Sequence, residues 1–64
     1  FIDSITYKNY RIDYNYAEGT FWAEIFTDSQ GPGIENLEKF FVDEDIITLT
    51  FKALDFIDGL DNRV

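Results

Sequence analysis

The stretch YRIDYNYAEGTFWAEIF, Tyr10 to Phe26, decides the fold. Tyr10, Ile12, Tyr14 and Tyr16 alternate with Arg11, Asp13 and Asn15. That is the two-residue period of a strand with one buried face. How the chain turns after Tyr16 sets what comes next. A three-residue loop, Ala17-Glu18-Gly19, would pair Tyr16 with Thr20 and Ile12 with Glu24, burying a carboxylate beside an isoleucine. A tighter turn centred on Glu18-Gly19 pairs Tyr16 with Phe21, Tyr14 with Ala23 and Ile12 with Ile25. The cost of burying an unpaired charge selects the tighter turn. Gly19 supplies the positive φ that such a turn demands.

Working back from Tyr10, Ile5 and Tyr7 share one parity and Lys8-Asn9 interrupts it. A two-residue turn there pairs Tyr7 with Tyr10 and Ile5 with Ile12, which keeps all four on one face. Working forward, Thr27 to Gly33 reads as a loop with two glycines around one proline. In Ile34 to Val42, Leu37, Phe40 and Phe41 fit a helical stripe and Lys39 to Val42 fit a short strand. The strand reading, over about 37–42, is the preferred one. The acids Asp43, Glu44 and Asp45 then open a helix predicted over 43–59. Asp43 serves as its N-cap and Gly59 as its stop. Ile46, Leu49, Ala53, Leu54, Phe56, Ile57 and Leu60 form its apolar stripe, with Thr48, Lys52 and Asp55 opposite. The expected fold is a single α+β domain over residues 1–64. It is a three- to four-stranded antiparallel meander packed on one face by one C-terminal amphipathic helix.

Composition narrows the chemistry. The chain has 64 residues and contains neither Cys nor His. This removes disulfides, thiolate sites, the usual zinc ligands and the usual general base. Candidate acids and bases are then carboxylates, Tyr and Lys, and no pair of them has a distinctive spacing. The segment Asp43 to Phe51 lacks the framework of a calcium loop. Gly31-Pro32-Gly33 lacks the strand, helix and Lys of a phosphate cradle. The expectation is no enzyme, no catalytic residue, no metal and no cofactor. Thirteen acidic residues against five basic ones give a net charge of -8. Such a field repels phosphate backbones and attracts basic proteins, so direct nucleic-acid binding is not expected. No apolar run approaches the ~20 residues of a membrane span. No signal peptide is visible, and the expected compartment is the cytoplasm.

Trp22 and Phe26 stand out. In the chosen register they fall on the face away from the predicted core, with Arg11, Asp13 and Asn15 on the neighbouring strand. Asp13 then faces Glu24, a like-charge pair. Two readings stay open. The chain covers the rings itself, with Phe1-Ile2 or the C-terminal tail. Alternatively, Trp22 and Phe26, rimmed by Arg11, Asp13 and Glu24, form a contact face for a basic protein or for a second copy of the chain.

The run Gly19 to Ile25 carries the pattern G-x-[YFW]-x-A-x-I at the end of a hairpin. An acidic lead into "IITLTFKALDFIDGL" follows it. Together they resemble the small HicB-type antitoxin domain. The chain departs from that family in its loop, "GPG", and in its helix entry, "VDEDIITLTFKA". The resemblance implies a protein-binding α+β module. The resulting expectation is an acidic, antitoxin-like interaction module that neutralises a basic, nucleic-acid-binding protein. An acidic nucleic-acid mimic of the kind phage inhibitors use, and a small self-associating structural protein, are the alternatives.

Overall fold

Two tight turns organise the sheet. Both central residues of each have positive φ: Lys8 at 48° and Asn9 at 68°, then Glu18 at 53° and Gly19 at 79°. This is the mirror-image turn whose twist matches that of paired strands. In the computed structural model, which describes residues 2–27 and 36–61, these turns join β1 (Asp3–Tyr7), β2 (Tyr10–Ala17) and β3 (Thr20–Thr27). A fourth strand, β4 (Asn36–Asp43), precedes the helix α1 (Ile46–Asp61). All neighbours are antiparallel, in the order β1-β2-β3-β4. Of the predicted loop over 27–33, Thr27 instead ends β3, paired with Asn36, and 28–33 lie outside the described residues.

The pairing is the one derived from burial cost. Tyr7 faces Tyr10 and Ile5 faces Ile12. Ile12 faces Ile25, Tyr14 faces Ala23 and Tyr16 faces Phe21. The helix covers this side of the sheet. Ile12, Tyr14, Ala23, Ile25, Leu49, Ala53 and Ile57 are buried. Ala23 and Ala53, both fully buried, carry little bulk where the helix packs on the sheet. Phe41 and Phe56 close the β4 side in an edge-to-face contact, with centroids 5.9 Å apart. Polar groups tie the two layers together. The Tyr14 hydroxyl and Thr50 Oγ1 lie 2.7 Å apart, and Thr50 Oγ1 donates to the Ile46 carbonyl at 2.8 Å. At the far end Asp58 Oδ1 accepts from the Tyr7 hydroxyl at 2.9 Å and from Lys8 Nζ at 2.7 Å.

Both ends of the helix differ from expectation. Asp45, not Asp43, is the N-cap. Its Oδ2 accepts from the Thr48 N–H at 2.9 Å and from Thr48 Oγ1 at 2.7 Å. Asp43 is instead the last residue of β4, opposite Phe21. Its carboxylate takes the Asp45 N–H and Lys52 Nζ, both at 2.9 Å. It therefore clamps the strand-to-helix junction. Glu44 and Asp45 both precede the helix, so no acid lies in its first turn. Gly59 does not stop the helix, which continues to Asp61. Its backbone is not left-handed, so it ends nothing. Within the stripe, Leu49, Ala53 and Ile57 are fully buried, whereas Ile46 lies at the margin. Thr48, Lys52 and Asp55 face solvent as predicted.

Candidate functional site: the open sheet face

The side of the sheet away from α1 is open, and the hairpin register decides what stands on it. Asn15 pairs with Trp22, Asp13 with Glu24 and Arg11 with Phe26. All five predicted contact residues, Arg11, Asp13, Trp22, Glu24 and Phe26, are therefore brought together. Trp22 and Phe26 are half-buried rather than fully exposed. Of the segments expected to cover them, Ile2 is itself exposed, and Phe1 and residues 62–64 lie outside the described residues.

The expected like-charge pair is resolved locally. Asp13 Oδ1 accepts from Arg11 Nε and from Ser4 Oγ, each at 3.0 Å. Glu24 Oε1 accepts from Asn15 Nδ2 at 3.1 Å. Both carboxylates thus gain donors from their neighbours. The Arg11 guanidinium lies 4.8 Å from the centre of the Phe26 ring. One arginine therefore both neutralises the acid and covers the aromatic.

Sequence reasoning missed the third row of the face. Across β3, Trp22 pairs with Val42, Glu24 with Phe40 and Phe26 with Leu37. Leu37, Phe40 and Val42 are 52%, 56% and 49% exposed, more open to solvent than either ring of β3. A bulge opposite Ile25/Phe26 leaves Glu38 as the extra residue and brings Leu37 onto the row. The face therefore has two halves. Ser4, Arg11, Asp13 and Asn15 make a polar half on β1 and β2. Trp22, Phe26, Leu37, Phe40 and Val42 make an apolar half on β3 and β4, interrupted by Glu24. The apolar run Phe40-Phe41-Val42 fitted a short strand, but without alternation it could not say which parity faces the helix.

The remaining charges are arranged elsewhere. The four described cations each sit against a neighbour. Lys8 bonds Asp58, Arg11 bonds Asp13, Lys52 bonds Asp43, and Lys39 Nζ lies 5.7 Å from the Phe41 ring centre. Hydrogen bonds from Lys8 and the Tyr7 hydroxyl hold the Asp58 carboxyl below its ordinary pKa. Asp43 is lowered by Lys52 and the Asp45 N–H, and Asp45 by Thr48. The bond to Asp58 raises the Tyr7 phenol above its ordinary value. Among the described residues no group of three or more acids is placed to hold a metal ion. No described helix is long and apolar enough to cross a membrane.

A second apolar surface lies on the helix side. A groove of about 380 Å³ runs between β1 and the first half of α1, lined mainly by Ile5, Tyr14, Ile46, Ile47 and Phe51. Ile47 and Phe51 are 64% and 66% exposed there because the helix packs mainly on β3 and β4 and meets β1 near its other end, where Asp58 bonds Tyr7. Comparison with known proteins finds no matching family, no matching curated protein and no matching solved structure.

Proposed function

We propose that this protein is a small acidic protein-interaction module. It binds, and thereby neutralises, a basic nucleic-acid-binding protein through the open sheet face. The observation that supports this reading is the apolar patch Trp22–Val42 and Phe26–Leu37, joined through Phe40 on β4 and broken on β3 by Glu24, on the side the helix does not cover. Soluble domains seldom leave such a strip uncovered unless a partner uses it. Aromatic anchors supply affinity, and the surrounding acids speed encounter and choose a basic partner. Nucleic-acid mimicry needs long rows of carboxylates. Here Asp13 and Glu24 are flanked by Arg11, Trp22 and Phe40 and not continued as a row. An antitoxin-like role in the cytoplasm is in keeping with the Gly19 to Ile25 pattern.

The test uses the protein and its Trp22→Ala variant as baits, with both shown to be folded by circular dichroism. The parent should recover a basic protein, and the variant should bind it more weakly by about 2 kcal/mol or more, as a hot spot does. Equal binding by a folded variant removes Trp22 from the interface and the reading with it.

A further inference from the structure

The two edges of the sheet are not alike. Residues that flank a two-residue turn exchange both of their backbone hydrogen bonds, and such pairs recur at every second position. From the turns at Lys8-Asn9 and Glu18-Gly19, the backbone groups of Tyr10, Ile12 and Tyr14 therefore face β1. Those of Arg11, Asp13, Asn15 and Ala17 face β3. The Ile2 N–H, which bonds the Tyr14 carbonyl at 2.8 Å, agrees with this phase. Carried across the register, Phe21, Ala23 and Ile25 pair with Asp43, Phe41 and Lys39. The N–H and C=O of Phe40 and Val42 then point away from the sheet. On β1 the corresponding outward groups belong to Ser4 and Thr6.

The β1 edge is blunted. It is five residues long, and the outward Ser4 N–H is occupied by Asp3 Oδ1 at 2.8 Å. The β4 edge spans eight residues. Among the described residues, no hydrogen bond reaches the outward backbone groups of Phe40 and Val42. Their side chains are the exposed apolar ones of the open face. The backbone template and the apolar strip therefore coincide on the same two residues. An open edge of this kind pairs readily with another extended chain.

Resting on the reading of the open face as a partner site, we infer that the partner adds an extended, basic segment to β4 as a fifth strand. Alternate apolar side chains of that segment lie against Phe40 and Val42. Lys or Arg residues toward the ends of that segment meet Glu38 and Glu44, the acids that flank Phe40 and Val42 along the edge. Charge selects this occupant over a second copy of the chain. Two copies each carry a net charge of -8. The register that pairs Phe40 with Val42 of a copy sets Glu38 against Glu44 at both ends, and the Asp43 that it brings to Lys39 is already bonded to Lys52. Main-chain bonds supply affinity in this mode, and the alternating side chains supply choice.

The probe is a blocked peptide of four Lys-Val repeats, added to isotope-labelled protein while amide hydrogen exchange is followed by NMR. Exchange at Phe40 and Val42 should slow by about tenfold or more at saturation, because both amides gain an acceptor. A Lys-Gly peptide of equal charge should not slow it. Nor should the Lys-Val peptide N-methylated at its valines, which lacks the donors that face β4. Three results overturn the inference. The first is shifts at the Trp22 indole without slowing at Phe40 and Val42, which would leave the contact face standing and remove strand addition. The second is no change at either place with about 1 mM peptide. The third is slowing without peptide that grows with protein concentration, which gives the edge to a second copy.

Discussion

Replacing Ile25 by Ala tests the packing on which the whole face depends. Ile25 is fully buried in a central strand, between Ile12 on β2 and Lys39 on β4, beneath the helix. The change removes three carbon groups. At about 0.8 kcal/mol each they give about 2.4 kcal/mol, and the cavity left behind raises the loss into the range of about 2–5 kcal/mol. A chain of this length has a total stability of about 3–10 kcal/mol, so the variant keeps a fraction of it or none. With a urea dependence near 1 kcal/mol per molar, the midpoint should fall by about 2 M or more. Phe51→Ala is the internal comparison, because that larger side chain is mostly exposed on the groove. It should lose less than about 1 kcal/mol. A one-residue slip would move Ile25 to the open face. A loss well below about 1 kcal/mol at Ile25, or a larger loss at Phe51 than at Ile25, refutes this packing.

Two further outcomes follow from the helix ends. Asp45→Ala should cost about 0.5–2 kcal/mol in a urea melt by removing the N-cap, whose side chain takes both Thr48 donors. Asp58→Asn should be less stable than the parent at pH 7. Because the folded Asp58 pKa is depressed, its contribution is fully present above the ordinary value of about 4 and lost as pH falls through the folded one. The gap between parent and variant should therefore close in acid, and a gap unchanged down to about pH 2 contradicts it. The raised Tyr7 phenol has the opposite sense. Its contribution is present below about pH 10 and is lost as pH rises through the folded value.

The sheet was legible because its information is local. Two turns of two residues leave little freedom of register, and burying Glu24 or Ile25 are the only choices at the second. The helix stripe was legible for the same reason, through Leu49, Ala53 and Ile57. The N-cap was not. Asp43 and Asp45 are equally able to cap, and the choice depends on where β4 ends, which its pairing with β3 decides. Gly59 offered a stop that its surroundings do not require. The apolar strip of Leu37, Phe40 and Val42 was hidden because two non-local facts place it. These are the register of β4 across a connection of several residues and the bulge at Glu38. The exposure of Ile47 and Phe51 was hidden likewise, since a helix stripe does not say how much of a sheet the helix spans.

The most direct test of the contact face reads Trp22 itself. It is the chain's single tryptophan, so its emission reports on the open face alone. The basic protein recovered by the parent bait is titrated in while binding is followed in parallel by calorimetry. Covering the apolar strip should move Trp22 emission to shorter wavelength, saturating at the calorimetric stoichiometry. The shift should persist in high salt, because apolar contact rather than charge holds the complex. Heat of binding with unchanged Trp22 emission would place the partner on another surface and contradict the account.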